Sequence, residues 1–115
     1  MTNNAGTIYD GIFNTMVENK VAQGALGKIA GGAFNGTVTN NGTISGGAFS
    51  GTVTNRGTIT AGTFYEKVEN NTNGTIYNGK FTGTVTNSGT IKDGTFAGSV
   101  TNNKTISGGT FKGDV

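Results

Sequence analysis

The chain has 115 residues, 32% hydrophobic and 12% charged, and Gly, Thr and Asn (22, 21 and 15) supply half of it. Pro, His, Cys and Trp are absent, which excludes disulfides, zinc or haem ligation through His or Cys, and Ser-His-Asp or Cys-His nucleophiles. A net charge of +2 is too weak for a phosphate-binding footprint despite a pI near 9.0, so no nucleic-acid partner is expected, and no apolar run suggests a membrane one.

Such a composition alone points to disorder, but the chain repeats itself. Aligned on Gly-Thr-Ile, seven copies begin at Gly6, Gly27, Gly42, Gly57, Gly74, Gly89 and Lys104, spaced by 21, 15, 15, 17, 15 and 15 residues. The first carries Ile8, Phe13 and Val17, the second Ile29, Phe34 and Val38, the third Ile44, Phe49 and Val53. The fourth has Ile59, Phe64 and Val68, the fifth Ile76, Phe81 and Val85, the sixth Ile91, Phe96 and Val100, the last Ile106, Phe111 and Val115. Two residues before every Phe stands Gly, from Gly11 to Gly109; two after each Val from Val17 to Val100 stands Asn, from Asn19 to Asn102.

Three apolar residues in fifteen are too few for paired helices, and the Gly content opposes helix. Each apolar residue is flanked by small polar ones, as in Thr52-Val53-Thr54, the alternation of a short half-buried strand. The pattern predicts an all-β fold: one domain over residues 1–115, a three-sided parallel β-helix of about seven fifteen-residue coils, of either hand. Ile, Phe and Val should stack in columns along a rod of about 30–35 Å. Gly should turn the corners through positive φ, and the inward Asn side chains should hydrogen-bond along the axis. A lone coil buries too little to offset its ordering entropy, so each coil depends on its neighbours.

Copies one and four depart from the pattern together, with Thr15 and Glu66 where most others have Gly, and Glu18 and Glu69 after Val. Each is followed by an insertion, six residues near Val21–Leu26 and two near Thr72-Asn73. These read as corner bulges; Val21 and Leu26 make the longer one the better candidate for a partner contact.

At the ends, Thr2-Asn3-Asn4 echoes the internal Thr39-Asn40-Asn41, and the chain stops at Val115 where the pattern next calls for Thr-Asn. The sequence therefore reads either as a segment of a longer array or as a subunit that stacks head to tail; both place another coil on each end. The expected stacking interface is Thr7, Ile8, Phe13 and Val17 at one end and Ile106, Phe111 and Val115 at the other.

The acids Asp10, Glu18, Glu66, Glu69, Asp93 and Asp114 lie on different coils or lack companions. No catalytic residue, metal site or cofactor is expected, and no enzymatic activity. Around the Val column, Thr37 and Thr39, Thr52 and Thr54, Thr84 and Thr86, and Ser99 and Thr101 should face outward as a grid. That face resembles the ice-binding side of insect antifreeze β-helices, although Met16, Glu18, Lys67 and Glu69 interrupt it. Tyr9, Tyr65 and Tyr77 should be exposed and could stack on sugars. The five Asn-x-Thr sequons arise from the repeat itself.

The whole pattern, Gly-Thr-Ile-x-x-Gly-x-Phe-x-Gly-x-Val-Thr-Asn, resembles repeats of bacterial surface proteins, adhesins and autotransporter-type passengers. The resemblance implies an extracellular or cell-surface scaffold, stalk or filament. Its partners would be further copies of itself, further repeats of the same chain, or surface glycans.

Overall fold

The computed structural model describes all 115 residues and contains no helix. Strands of two or three residues, with one of six at Val17–Ala22, alternate with tight corners, and the chain visits three parallel sheets in turn on every coil. The Ile sheet runs from Thr7–Ile8 to Thr105–Ile106, the Phe sheet from Ile12–Phe13 to Thr110–Phe111, and the Val–Asn sheet from Thr2–Asn4 to Val100–Asn102. Register is strict: Ile59 lies between Ile44 and Ile76, Phe64 between Phe49 and Phe81, Val68 between Val53 and Val85. This is the expected β-solenoid of about seven coils, with a longest dimension of 35 Å.

The core consists of the three columns and nothing else. All 17 buried hydrophobic residues are Ile, Phe or Val from those positions, so removal of their apolar surface from water supplies the core's driving force. The seven Phe rings form one stack, with centroids 4.7–4.8 Å apart and planes within 9° of parallel. That distance is the spacing of hydrogen-bonded strands; the ladder imposes it on the rings.

Beside the hydrocarbon columns runs a polar one. Asn3, Asn19, Asn40, Asn55, Asn70, Asn87 and Asn102 lie in register, and each Nδ2 donates to the Oδ1 of the next at 2.7–2.8 Å. The same nitrogens also donate to carbonyls of their own corner, Asn55 to Gly57 at 3.1 Å for example. No buried side-chain nitrogen or oxygen is left without a partner, which removes the cost of burying amides. The ladder passes both insertions unbroken.

Glycine serves the corners in two different ways. The seven Gly that precede Phe by two, from Gly11 to Gly109, all have positive φ, 108–143°, as expected. The other two columns do not. Gly42 and Gly51 have no positive φ, and their lack of a Cβ answers a different need. A Cβ at Gly42 would collide with the carbonyl oxygen of Gly27, and one at Gly51 with that of Gly36. Those corners use Gly because successive coils approach backbone to backbone.

The six-residue insertion is a β-hairpin, more ordered than a bulge. Val17–Ala22 extends the Val–Asn strand outward, and Ala25–Leu26 returns antiparallel, pairing Val21 with Leu26 and Ala22 with Ala25. Gln23 and Gly24 make the turn at φ +51° and +78°, the two positive angles of a type I′ turn.

Candidate functional site

The two end faces are where the columns stop. At the carboxyl-terminal face, Ile106 and Phe111 are half-buried, whereas Ile91 and Phe96 one coil earlier are fully buried. Asn102 is exposed; it accepts from Asn87, and its own Nδ2 has only the Lys104 carbonyl. Val115 is 67% exposed. The Ile and Phe sheets end there in strands with one unpaired edge, a template for a further strand, while the last Val–Asn strand has its Val100 amide bonded to the Asp114 carbonyl.

At the amino-terminal face, Thr7 is exposed and Phe13 half-buried, as a stacking surface requires. Val17 differs from expectation. It is 1% exposed, because the strand Thr2–Asn4 pairs over its coil, with Thr2 opposite Glu18 and Asn3 opposite Asn19. Ile8 is also nearly covered. The place on the face expected for Val17 is held by Met1, whose carbonyl accepts the Glu18 amide at 2.8 Å.

The Thr positions flank the Val column on the outer side of the Val–Asn sheet. Thr39, Thr52, Thr54 and Thr86 are half-buried, and Thr37, Thr84, Ser99 and Thr101 exposed. Thr39 lies beside Thr54, and Thr86 beside Thr101, but Glu69 stands between Thr54 and Thr86. Glu18 precedes Thr39 in the same line. The hydroxyl grid thus consists of two short patches separated by a charged coil.

Three of the acidic side chains, Asp10, Glu18 and Asp93, have local partners. Asp10 accepts the Gly11 amide and Asp93 the Gly94 amide, each at 2.8 Å, and Asn78 does the same for Gly79. These Asx contacts hold the amide of a positive-φ Gly at its turn. An Asp or Asn directly before the Gly is the sequence signal for this role. Glu18 lies 3.7 Å from Lys20, a half-buried pair on one strand, and no three acidic side chains gather as a metal site would require.

Tyr9, Tyr65 and Tyr77 are exposed. The Lys92 ammonium sits 5.4 Å from the centre of the Tyr77 ring, a cation–π contact between adjacent coils. The two-residue insertion leaves a shallow, open depression lined by Arg56, Asn71, Thr72 and Asn73, with no apolar wall. Val21 and Leu26 are exposed on the hairpin. No helix is long and apolar enough to cross a membrane. Comparison with protein-family models, with curated proteins and with solved structures finds no match for the chain.

Proposed function

We propose that the chain is a non-enzymatic structural repeat module of an extracellular or cell-surface filament or adhesin stalk. Its terminal coils are covered in the working assembly by further coils, from a second copy stacked head to tail or from further repeats of one polypeptide. The observation that carries this reading is the contrast between the middle and the ends. Along the rod every column is buried and every ladder amide paired, while half-buried Phe13, Ile106 and Phe111 sit on open sheet edges. The sequence pattern of bacterial surface repeats supports the location.

Sedimentation velocity and negative-stain electron microscopy of the purified chain over a range of concentrations test the self-assembling version. Rods that lengthen with concentration are expected. A monomer that persists at all concentrations would remove that version and leave the coils to come from one longer polypeptide. The competing ice-binding reading draws on the outward Thr patches; thermal hysteresis with faceted ice would favour it, and round ice disks would end it. A glycan array addresses adhesion through the exposed Tyr side chains.

A further inference from the structure

We propose that the depression at the two-residue insertion binds an acidic sugar: Arg56 takes the carboxylate, and Asn71, Thr72 and Asn73 take the ring hydroxyls. Such a site adds a ligand to the scaffold and is independent of what covers the ends of the rod.

The backbone builds the site. A single residue separates ladder Asn from corner Gly in Asn40-Asn41-Gly42, Asn55-Arg56-Gly57 and Asn87-Ser88-Gly89, but three follow Asn70 before Gly74. The added residues make a tight turn, closed by the Gly74 amide donating to the Asn71 carbonyl at 2.8 Å. Both feet of this turn are fixed to the preceding coil: Asn71 donates to Asn55 and Thr75 to Gly57, each at 2.9 Å. Those two acceptors flank Arg56, whose own amide donates to Asn40 at 2.7 Å. Gly74 is buried, and a Cβ there would collide with the Asn55 carbonyl and the Asn70 side chain. The four side chains therefore line one depression of about 300 Å³ from backbone already held in place. Little ordering of the chain opposes a ligand there.

The side chains are uncommitted. Arg56 is the only arginine in the protein. Lys20 pairs with Glu18 and Lys92 lies over Tyr77, whereas Arg56 has neither an ion pair nor an aromatic ring. Glu69, two residues before Asn71, makes no ion pair with it either. The ladder amides of Asn55 and Asn70 bond to Asn70 and Asn87. Asn71 and Asn73 lie outside that ladder, and neither their amides nor the Thr72 hydroxyl bonds to any group of the chain.

The chemistry of the lining selects the ligand. A guanidinium offers a planar fork of N–H donors that matches a carboxylate. One free positive charge balances one carboxylate; a phosphate dianion would need a second cation, and none lines the depression. The two amides and the hydroxyl each donate and accept, as sugar hydroxyls do. With no apolar wall, an acyl chain or the apolar residues of a peptide gain nothing by entering. The volume is at the small end of ligand clefts, and the open mouth lets the rest of a glycan leave into solvent. A uronic acid residue of a polysaccharide meets all of these demands.

The test titrates the isotope-labelled chain with methyl glucuronide and reads the side-chain NMR signals of Arg56, Asn71 and Asn73. Shifts confined to that corner, saturating in roughly the millimolar range, are expected. Methyl glucoside and the uncharged methyl ester of the glucuronide should bind about tenfold more weakly, having lost the charge-assisted pair. Arg56→Lys keeps the charge without the fork and should weaken binding about threefold or more. Deleting Thr72 and Asn73 leaves Asn70-Asn71-Gly74, the pattern of Asn40-Asn41-Gly42. That chain, with β structure intact by circular dichroism, should not bind. Equal binding of glucuronide by the deletion variant, equal binding of the ester by the parent, or no shift at about 100 mM probe would overturn the site. Acetate, inorganic phosphate or a glutamate peptide binding as tightly as the glucuronide would overturn its assignment to a sugar.

Discussion

Asn55 donates from Nδ2 to Oδ1 of Asn70 at 2.8 Å while its own Oδ1 accepts Nδ2 of Asn40 at the same distance. Removing one amide therefore affects two neighbours. Asn40 keeps its carbonyl acceptors at Gly42 and Thr58, but the Oδ1 of Asn70 loses its donor inside a dry corner. Asn55→Ala is expected to cost about 2–4 kcal/mol in chemical denaturation, from one or two buried groups left short of a partner. Asn102→Ala, at an exposed rung, should cost less than about 1 kcal/mol. Equal effects at the two sites would show that the ladder contributes little beyond its packing.

The two kinds of corner glycine should respond differently to a methyl group. At Gly47 the backbone has φ +108° and a Cβ would lie 3.2 Å from the Phe49 ring. Gly47→Ala is expected to lose about 1–3 kcal/mol, the strain of an L-residue in that region. At Gly51 the same methyl meets backbone of the preceding coil, including the Gly36 carbonyl carbon at 2.6 Å. Neither coil can yield without breaking its ladder, so Gly51→Ala should be the more damaging of the two. The melting temperatures of the two variants check the order, and the reverse order would show that the corners can spread.

Position along the rod should set the cost of a core truncation. Phe64 is fully buried between Phe49 and Phe81, with ring centroids 4.7 and 4.8 Å away. Phe64→Ala is expected to cost about 3–5 kcal/mol, a lost ring plus a cavity that both neighbours hold open. Phe111 stacks on Phe96 alone and is half-buried, so Phe111→Ala should cost about 1–2 kcal/mol, the transfer term without an enclosed cavity. Equilibrium unfolding in guanidinium measures both. Similar losses would mean that the terminal coil is as firmly packed as the centre.

The columns could be read from the sequence because each position repeats a single physical demand. Phe64 lies where every coil needs a large inward side chain, and Gly62 where every coil needs positive φ. What escaped was specific to one coil. Gln23-Gly24 forms a type I′ turn without the Asn-Gly that announces one, so the insertion read as a bulge. Met1 has no repeat precedent in the Val column, and only its bond to Met16 puts it there. Spacing alone puts Val17 on an end face, because the cover given by Thr2–Asn4 depends on pairing, which spacing does not fix.

The hairpin offers the sharpest test of whether the insertions belong to the fold. Its exposed Val21 and Leu26 pair only with each other across the two strands, and a single two-stranded hairpin adds little stability in water. Removing residues 21–26 joins Lys20 to Gly27 and restores the fifteen-residue spacing, so that Asn19-Lys20-Gly27 reads like Asn40-Asn41-Gly42. The Asn19 to Asn40 bond and the pairing of Val17 with Val38 both lie outside the excised segment. The shortened chain should fold with a stability within about 1 kcal/mol of the parent, since closing the shorter corner costs less entropy and little burial is lost. A loss above about 3 kcal/mol, comparable to a core truncation, would mean that the hairpin holds the first coil onto the second, and that copy one cannot stack through its columns alone.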